Sequence, residues 1–277
     1  MGAMNQEYLD KLTEEYNHRN VPEFEGYSPV QMHYVLYKPF DADCVLKLKK
    51  LAKEDYRKIP ILNQVIYFLN LIKKTGELKL TKKGFLPSVI VKELYGLGLL
   101  KEYLFESGIA KIYKEMDSKT ITLTRVLSEL SGVVKKRNGK LSLTKKGALL
   151  LSDDEKLFKL LFETFTSKFN WSYFDGYKNE KVGQFGFCFT LILLSVFGNN
   201  KRNDTFYSSK YFKAYPFLLD EETNHRCYNT RTFERFLVYF GLVVVESEDD
   251  RLFSDKYISK TVLFDKLFEL SPPRKKA

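Results

Sequence analysis

The stretch Gly76-Glu-Leu-Lys-Leu-Thr-Lys-Lys-Gly84 returns as Gly139-Lys-Leu-Ser-Leu-Thr-Lys-Lys-Gly147, with seven of nine positions identical at an offset of 63 residues. Each copy reads as an alternating strand, a Thr-Lys-Lys-Gly turn and the start of an apolar helix, because apolar residues at every second position suit a half-buried strand. The second copy follows a helical pattern and a basic tip, Lys135-Lys-Arg-Asn-Gly139. Asn-Gly is the favoured two-residue hairpin turn, since both positions need positive φ. Helix, hairpin, then Leu-Thr-x-x-Gly is how a winged helix ends.

Working outward, Pro60 opens a helix over Leu62–Lys73, which Thr75-Gly76 ends. A second helix is expected near Pro87–Tyr95, and a third over Arg125, Val126, Leu127 and Leu130, capped by Thr122 or Thr124. This gives a basic winged-helix-like module over 60–152. A second module is expected over 183–270. Its helices are Phe185–Val196, Ser208–Tyr215 and one through Phe233–Phe240 capped by Asn229 or Thr230. Its strands, Leu242–Val245 and Leu252–Ile258, flank the acidic turn Glu246-Ser-Glu-Asp-Asp250. Residues 1–59 read as a helical N-terminal cap, in which Ser28-Pro29 starts one helix and Asp41 or Asp43 caps another with Val45, Leu46, Leu48 and Leu51 inward. Residues 153–182 read as a connecting helix and a packed aromatic joint around Trp171, and residues 271–277 as a disordered tail. The fold class is therefore mainly α with small β-wings (α+β): two winged-helix-like modules and a helical N-terminal region.

Charge sharpens the expectation. The 277-residue chain carries a formal +10, of which residues 60–150 hold 17 basic and 7 acidic side chains, again net +10. Charge confined to one module has the character of a polyanion footprint. The expected partner is nucleic acid, in its double-stranded DNA form. Thr122, Thr124, Arg125 and Ser128 would face it from the third helix, Lys135, Lys136, Arg137, Asn138 and Lys140 from the hairpin, and Lys145 and Lys146 from the turn beyond. Arg231 and Arg235 are the corresponding candidates in the second module. Its acidic turn repels phosphate, which points that module toward a protein partner or homodimer.

Three cysteines, odd in number and widely spaced, suit a reducing cytoplasm. No apolar run reaches the roughly 18 residues of a membrane helix, so no membrane partner is expected. Met1-Gly-Ala-Met-Asn-Gln lacks a secretory pattern. No His-Glu-x-x-His, Cys-x-x-Cys, Gly-x-Ser-x-Gly or phosphate-loop motif occurs. No catalytic residue, cofactor or metal ligand is assigned, and an enzyme is not expected. A protein-interaction scaffold is the alternative, and a metal-dependent nuclease built from scattered carboxylates is the third reading.

The run Ile61–Leu150 resembles a segment of uncharacterised bacterial proteins that also carry a plasmid-open-reading-frame-like domain or a small cysteine-rich zinc tail. The matching pieces are Lys79-Leu-Thr-Lys-Lys-Gly-Phe-Leu-Pro87, Val91-Lys-Glu-Leu-Tyr95 and Leu130-Ser-Gly-Val-Val-Lys-Lys-Arg-Asn-Gly-Lys-Leu-Ser-Leu-Thr-Lys-Lys-Gly147. The present chain has neither companion, and the resemblance brings no catalytic residue with it. The ending Leu143-Thr-Lys-Lys-Gly147 is also similar to winged-helix regulators of the MarR-like and PadR types. Together they imply a bacterial regulatory, defence or mobile-element setting.

Overall fold

The computed structural model describes residues 6–219, 225–248 and 254–273. The fold is α+β and mainly helical, with small antiparallel sheets. In chain order come α1 (Gln6–His18), α2 (Pro29–Tyr37), β1 (Leu46–Leu48), α3 (Lys53–Tyr56), α4 (Pro60–Thr75), β2 (Leu78–Lys79), α5 (Ser88–Gly96), α6 (Tyr103–Glu106), α7 (Lys119–Leu130), β3 (Val134–Arg137), β4 (Lys140–Leu143), α8 (Lys145–Leu150), α9 (Asp154–Ser167), α10 (Phe187–Phe197), β5 (Arg202–Asn203), α11 (Asp204–Ala214), α12 (His225–Asn229) with a π-helical continuation Thr230–Leu237, β6 (Val243–Ser247), β7 (Lys256–Lys260), α13 (Val262–Leu267) and β8 (Phe268–Leu270). They divide into two compact units. One comprises residues 1–49, 177–235 and 242–277, and the other residues 50–176 and 236–241.

The second of these units holds both copies of the repeat. Pro60 starts α4 at a position whose amide has no helical partner anyway. Gly76, at φ 74°, ends it in a conformation that a Cβ disfavours. The buried face of α4 carries Ile61, Leu62, Val65, Phe68, Leu69 and Ile72. A three-stranded sheet follows in the order β2-β4-β3, so the first repeat strand lies antiparallel against the second, with Leu78 opposite Leu141 and Lys79 opposite Lys140. The β3–β4 hairpin turns at Asn138 (φ 49°) and Gly139 (φ 69°), the two positive φ values that this tight turn needs.

The two Thr-Lys-Lys-Gly segments diverge. Thr81–Gly84 is the expected turn, closed by the Gly84 N–H donating to the Thr81 carbonyl at 2.8 Å. In the second copy the expected turn is instead helical. The Thr144 hydroxyl accepts from the Gly147 N–H at 2.9 Å, and Lys145-Lys146-Gly147 forms the first turn of α8.

Other expectations change for identifiable reasons. The cap of α7 is Ser118, whose hydroxyl accepts from the Ile121 N–H, so Thr122 and Thr124 lie inside the helix. The aromatic run is core rather than joint. Trp171 is buried against Phe165 and Phe236, and its indole N–H donates to the Phe165 carbonyl at 2.9 Å. Phe158, Phe162 and Phe240 complete this cluster, and α9 is capped by Asp153. Burying each such ring removes roughly 2–3 kcal/mol worth of apolar surface from water.

In the other unit, residues 1–49 pack as part of a larger core rather than as a separate cap. Ser28 and Gln31 form a capping box at α2. Val45–Leu48 is not a helix: Leu46, Lys47 and Leu48 pair as β1 with Leu270, Glu269 and Phe268 of β8. A buried α10 and α11 pack on a second three-stranded sheet, ordered β5-β7-β6, and α12 packs on α11. Asn229 and Thr230 cap nothing, because α12 runs straight into the π-helical segment. The returning strand is β7, Lys256–Lys260, while Leu252 and Phe253 of the expected strand lie outside the described residues. Asp249 and Asp250 of the acidic turn, Met1–Asn5 and residues 274–277 of the tail lie outside the described residues. Ser271, also assigned to the tail, is held: it donates its N–H to the Val45 carbonyl and accepts from the Tyr27 hydroxyl. Among the described residues no helix is long and apolar enough to cross a membrane.

Candidate nucleic-acid interface

Pairing the two repeat copies determines which side chains share a face. Cross-strand partners lie on one side of a sheet, and neighbours along a strand alternate. Leu78, Leu141 and Val134 therefore point to the core, where they are buried. Lys79, Lys140 and Arg137 form the next row, one residue per strand, on the opposite face. Lys135 and Ser142 make a second row on that same outer face. With strands about 4.8 Å apart, three cationic side chains stand across roughly 10 Å, about one Debye length at physiological salt.

A further cationic group joins them at the hairpin end. The Leu80 N–H donates to the Gly139 carbonyl at 2.8 Å, so the Thr81–Gly84 turn, with exposed Lys82 and Lys83, lies beside the tip. The Lys136 ammonium reaches this turn, 2.9 Å from where a Cβ would stand on Gly84. Lys145 and Lys146 are exposed at the opposite end of β4, where Lys146 donates to the Ser131 carbonyl at 3.1 Å. Asn138 is exposed at the tip.

Charge bookkeeping isolates this surface. Residues 73–84 and 135–146 contain 11 Lys or Arg and a single carboxylate, Glu77, for a net +10. The rest of the chain is balanced, with 34 basic and 34 acidic residues. Glu77 pairs with Lys140 at 2.6 Å, but both side chains are about half exposed, so the pair is worth at most about 1 kcal/mol and Lys140 stays available.

The helix expected beside this surface is not part of it. Thr122 is 8% exposed, and Thr124 and Ser128 are fully buried. Their hydroxyls donate to the carbonyls of Glu115, Thr120 and Thr124 at 3.0, 2.8 and 2.7 Å, and Thr124 also accepts from the buried Gln64 amide at 2.7 Å. Helices α4, α5 and α9 pack on α7 from several sides. Arg125 is spent internally, its guanidinium bonded at 2.5 Å to both Glu115 and Glu129. Burial works against its charge, but hydrogen bonding and attraction from Glu115, then Glu129, outweigh it and raise its pKa. Glu115 is fully buried and also accepts from the Leu86 N–H at 2.6 Å, so it fastens the segment before α7 onto the core. These four residues are structural and are withdrawn from the contact set.

Arg231 is withdrawn as well. It is fully buried, and its guanidinium donates to the carbonyls of Asn179, Val182 and Tyr177. Five donors in a planar fork suit this pinning of a loop. Arg235 is half-buried on the π-helical segment. Glu246, from the acidic turn, pairs with Lys201.

Lys79 joins the surface as a residue not expected there, and Lys82 and Lys83 stand beside it as the first-copy equivalents of Lys145 and Lys146. The repeat itself was the available signal, since two like strands with matching apolar positions are natural partners. Among the described residues no group of three His, Cys, Asp or Glu side chains could hold a metal ion, and the three cysteines are free and buried. No protein-family model, curated protein or solved structure matches this chain.

Proposed function

We propose that the chain is a nucleic-acid-binding protein, bacterial and cytoplasmic, with a regulatory or mobile-element defence role. It contacts the phosphates of duplex DNA through the outer face and hairpin end of the β2-β4-β3 sheet. The single observation behind this reading is the pairing of β2 with β4, which sets Lys79, Lys140 and Arg137 in one row and joins the two stretches, residues 73–84 and 135–146, whose net +10 equals the chain's charge excess. Clustered lysine and arginine displace condensed counterions from DNA, and that release drives association.

Both three-stranded sheets support a winged-helix-like reading of residues 60–150 and 183–270. In each, a helix and short strand precede further helices and a hairpin, and the first strand pairs with the last (orders β2-β4-β3 and β5-β7-β6). The likeness of residues 61–150 to the bacterial segment belongs to the same proposal, since its matching pieces include the basic turn and both hairpin strands. The test is fluorescence anisotropy on a labelled duplex across a salt series. Affinity that falls steeply with added salt is expected, and no binding at low salt removes the proposal.

One observation favours the scaffold reading for the other unit. Tyr8, Leu12 and Tyr16, spaced four apart on α1, are all exposed, although α1 contributes no buried residue. A protein co-purifying with the chain and lost when these three become Ser supports that reading.

A further inference from the structure

We infer that the duplex is held by its phosphate backbone alone, with no readout of base sequence. The inference rests on the nucleic-acid reading of the basic sheet and specifies the kind of ligand that sheet takes. Sequence readout needs a helix or ribbon whose side chains reach base edges with paired donors and acceptors. None of the four candidates on α7, the helix in the reading position, is free for this: Thr122, Thr124 and Ser128 are turned into the core, and both Glu115 and Glu129 occupy Arg125.

The outer sheet face has different chemistry. By register it carries Lys79, Lys140, Arg137, Lys135 and Ser142. Lysine is a compact point charge with rotatable donors and no acceptor, which suits a phosphate and lacks the donor–acceptor pair that reads an A·T edge. No aromatic ring stands in these rows, so an unpaired base has no platform to stack on. Single strands therefore offer this surface only charge, and duplex, with its greater linear charge density, is the preferred ligand. Asn138 and Arg137 at the tip have side chains of the type that can bond a base edge. Asn138, however, is accounted for by its left-handed turn position, φ 49°, and Arg137 stands in line with Lys79 and Lys140, where it extends the phosphate-facing row.

The test uses the full chain and a pool of duplexes of about 20 base pairs with randomised cores, selected over several rounds at about 50 mM salt. The expected result is a bound pool matching the input in composition, with individual duplexes agreeing in affinity within about threefold and exceeding single strands of equal length. An enriched motif preferred by about tenfold or more overturns the inference while leaving the nucleic-acid reading intact. So does single-strand binding tighter than duplex. Retention of neither form overturns the nucleic-acid reading itself. The Asn138→Gly chain, which keeps the hairpin's positive φ, is expected to select the same featureless pool. A motif selected by the native chain and lost in Asn138→Gly assigns base reading to the tip and refutes the inference.

Discussion

Replacing Lys79, Arg137 and Lys140 together by Thr removes one complete row of the outer sheet face. Each phosphate contact contributes about 0.9 to the slope of log affinity against log salt. Three lost contacts make the slope shallower by about 2.7, which at about 0.1 M salt, against an unchanged reference at about 1 M, is a loss of roughly 500-fold. That corresponds to about 3.7 kcal/mol of binding free energy. Folding is expected to survive. Threonine favours strands, and breaking the exposed Lys140–Glu77 pair costs at most about 1 kcal/mol, a fall of about 2–4 °C in thermal midpoint. The assay is anisotropy of a labelled duplex at four or more salt concentrations, with circular dichroism melting alongside. Lys38→Gln, Lys53→Gln and Lys213→Gln together provide the control, removing the same formal charge at exposed positions that are not part of the sheet. If the control weakens binding as much as the sheet variant, net charge rather than local arrangement drives association, and the reasoning is refuted. An unchanged slope in the sheet variant refutes it equally.

Glu77→Gln removes the only carboxylate of the paired stretches and releases Lys140. It is expected to leave the slope close to its native value, because Lys140 already counts among the contacts, and to tighten binding by at most about fivefold, the roughly 1 kcal/mol of the lost pair, whereas weaker binding contradicts the assignment of Lys140. The repeat's two closing glycines separate by mechanism. A Cβ on Gly147 would stand 2.1 Å from the Val133 carbonyl oxygen, whereas one on Gly84, at φ 81°, meets only the flexible end of Lys136. Gly147→Ala is therefore expected to cost about 3 kcal/mol or more and Gly84→Ala about 1–2 kcal/mol; melting temperatures in the reverse order refute the account of α8. Burial pushes the Tyr27 and Tyr207 phenols up from about 10 to about 12, and holds Tyr215 and Tyr228 well above their ordinary range. Since a raised folded-state pKa favours the protonated form, the stability these phenols contribute is full below pH 10 and is lost as pH climbs toward 12. Tyrosinate absorbance and the helical dichroism signal should change together over that window, and complete ionisation with the dichroism intact contradicts the burial.

Local signals were legible in the sequence and distant partners were not. Asn138-Gly139, Gly76 and Ser28-Pro29 announce a hairpin, a helix end and a helix start, because each acts on backbone within four residues. Thr120, Thr124 and Ser128 look like the polar face of α7, yet α4, α5 and α9 enclose it. Its interior tolerates hydroxyls because Thr124 and Ser128 return their protons to carbonyls one turn back. Leu46–Leu48 alternates with Lys47 and forms a strand because its partner, Phe268–Leu270, arrives more than 200 residues later. Arg231 resembles a phosphate contact until the 177–182 carbonyls surround its guanidinium. The basic surface was half legible: the hairpin and the two Lys-Lys turns were evident, but Lys79 enters only when the repeat copies pair.

Lysine reactivity footprinting of the full chain, with and without saturating duplex, tests the central claim most directly. Protection from reductive methylation is expected at Lys79, Lys82, Lys83, Lys135, Lys136 and Lys140, while exposed Lys38, Lys53 and Lys213 stay reactive. Bound duplex that leaves the sheet lysines reactive, or protects the other three in their place, contradicts it.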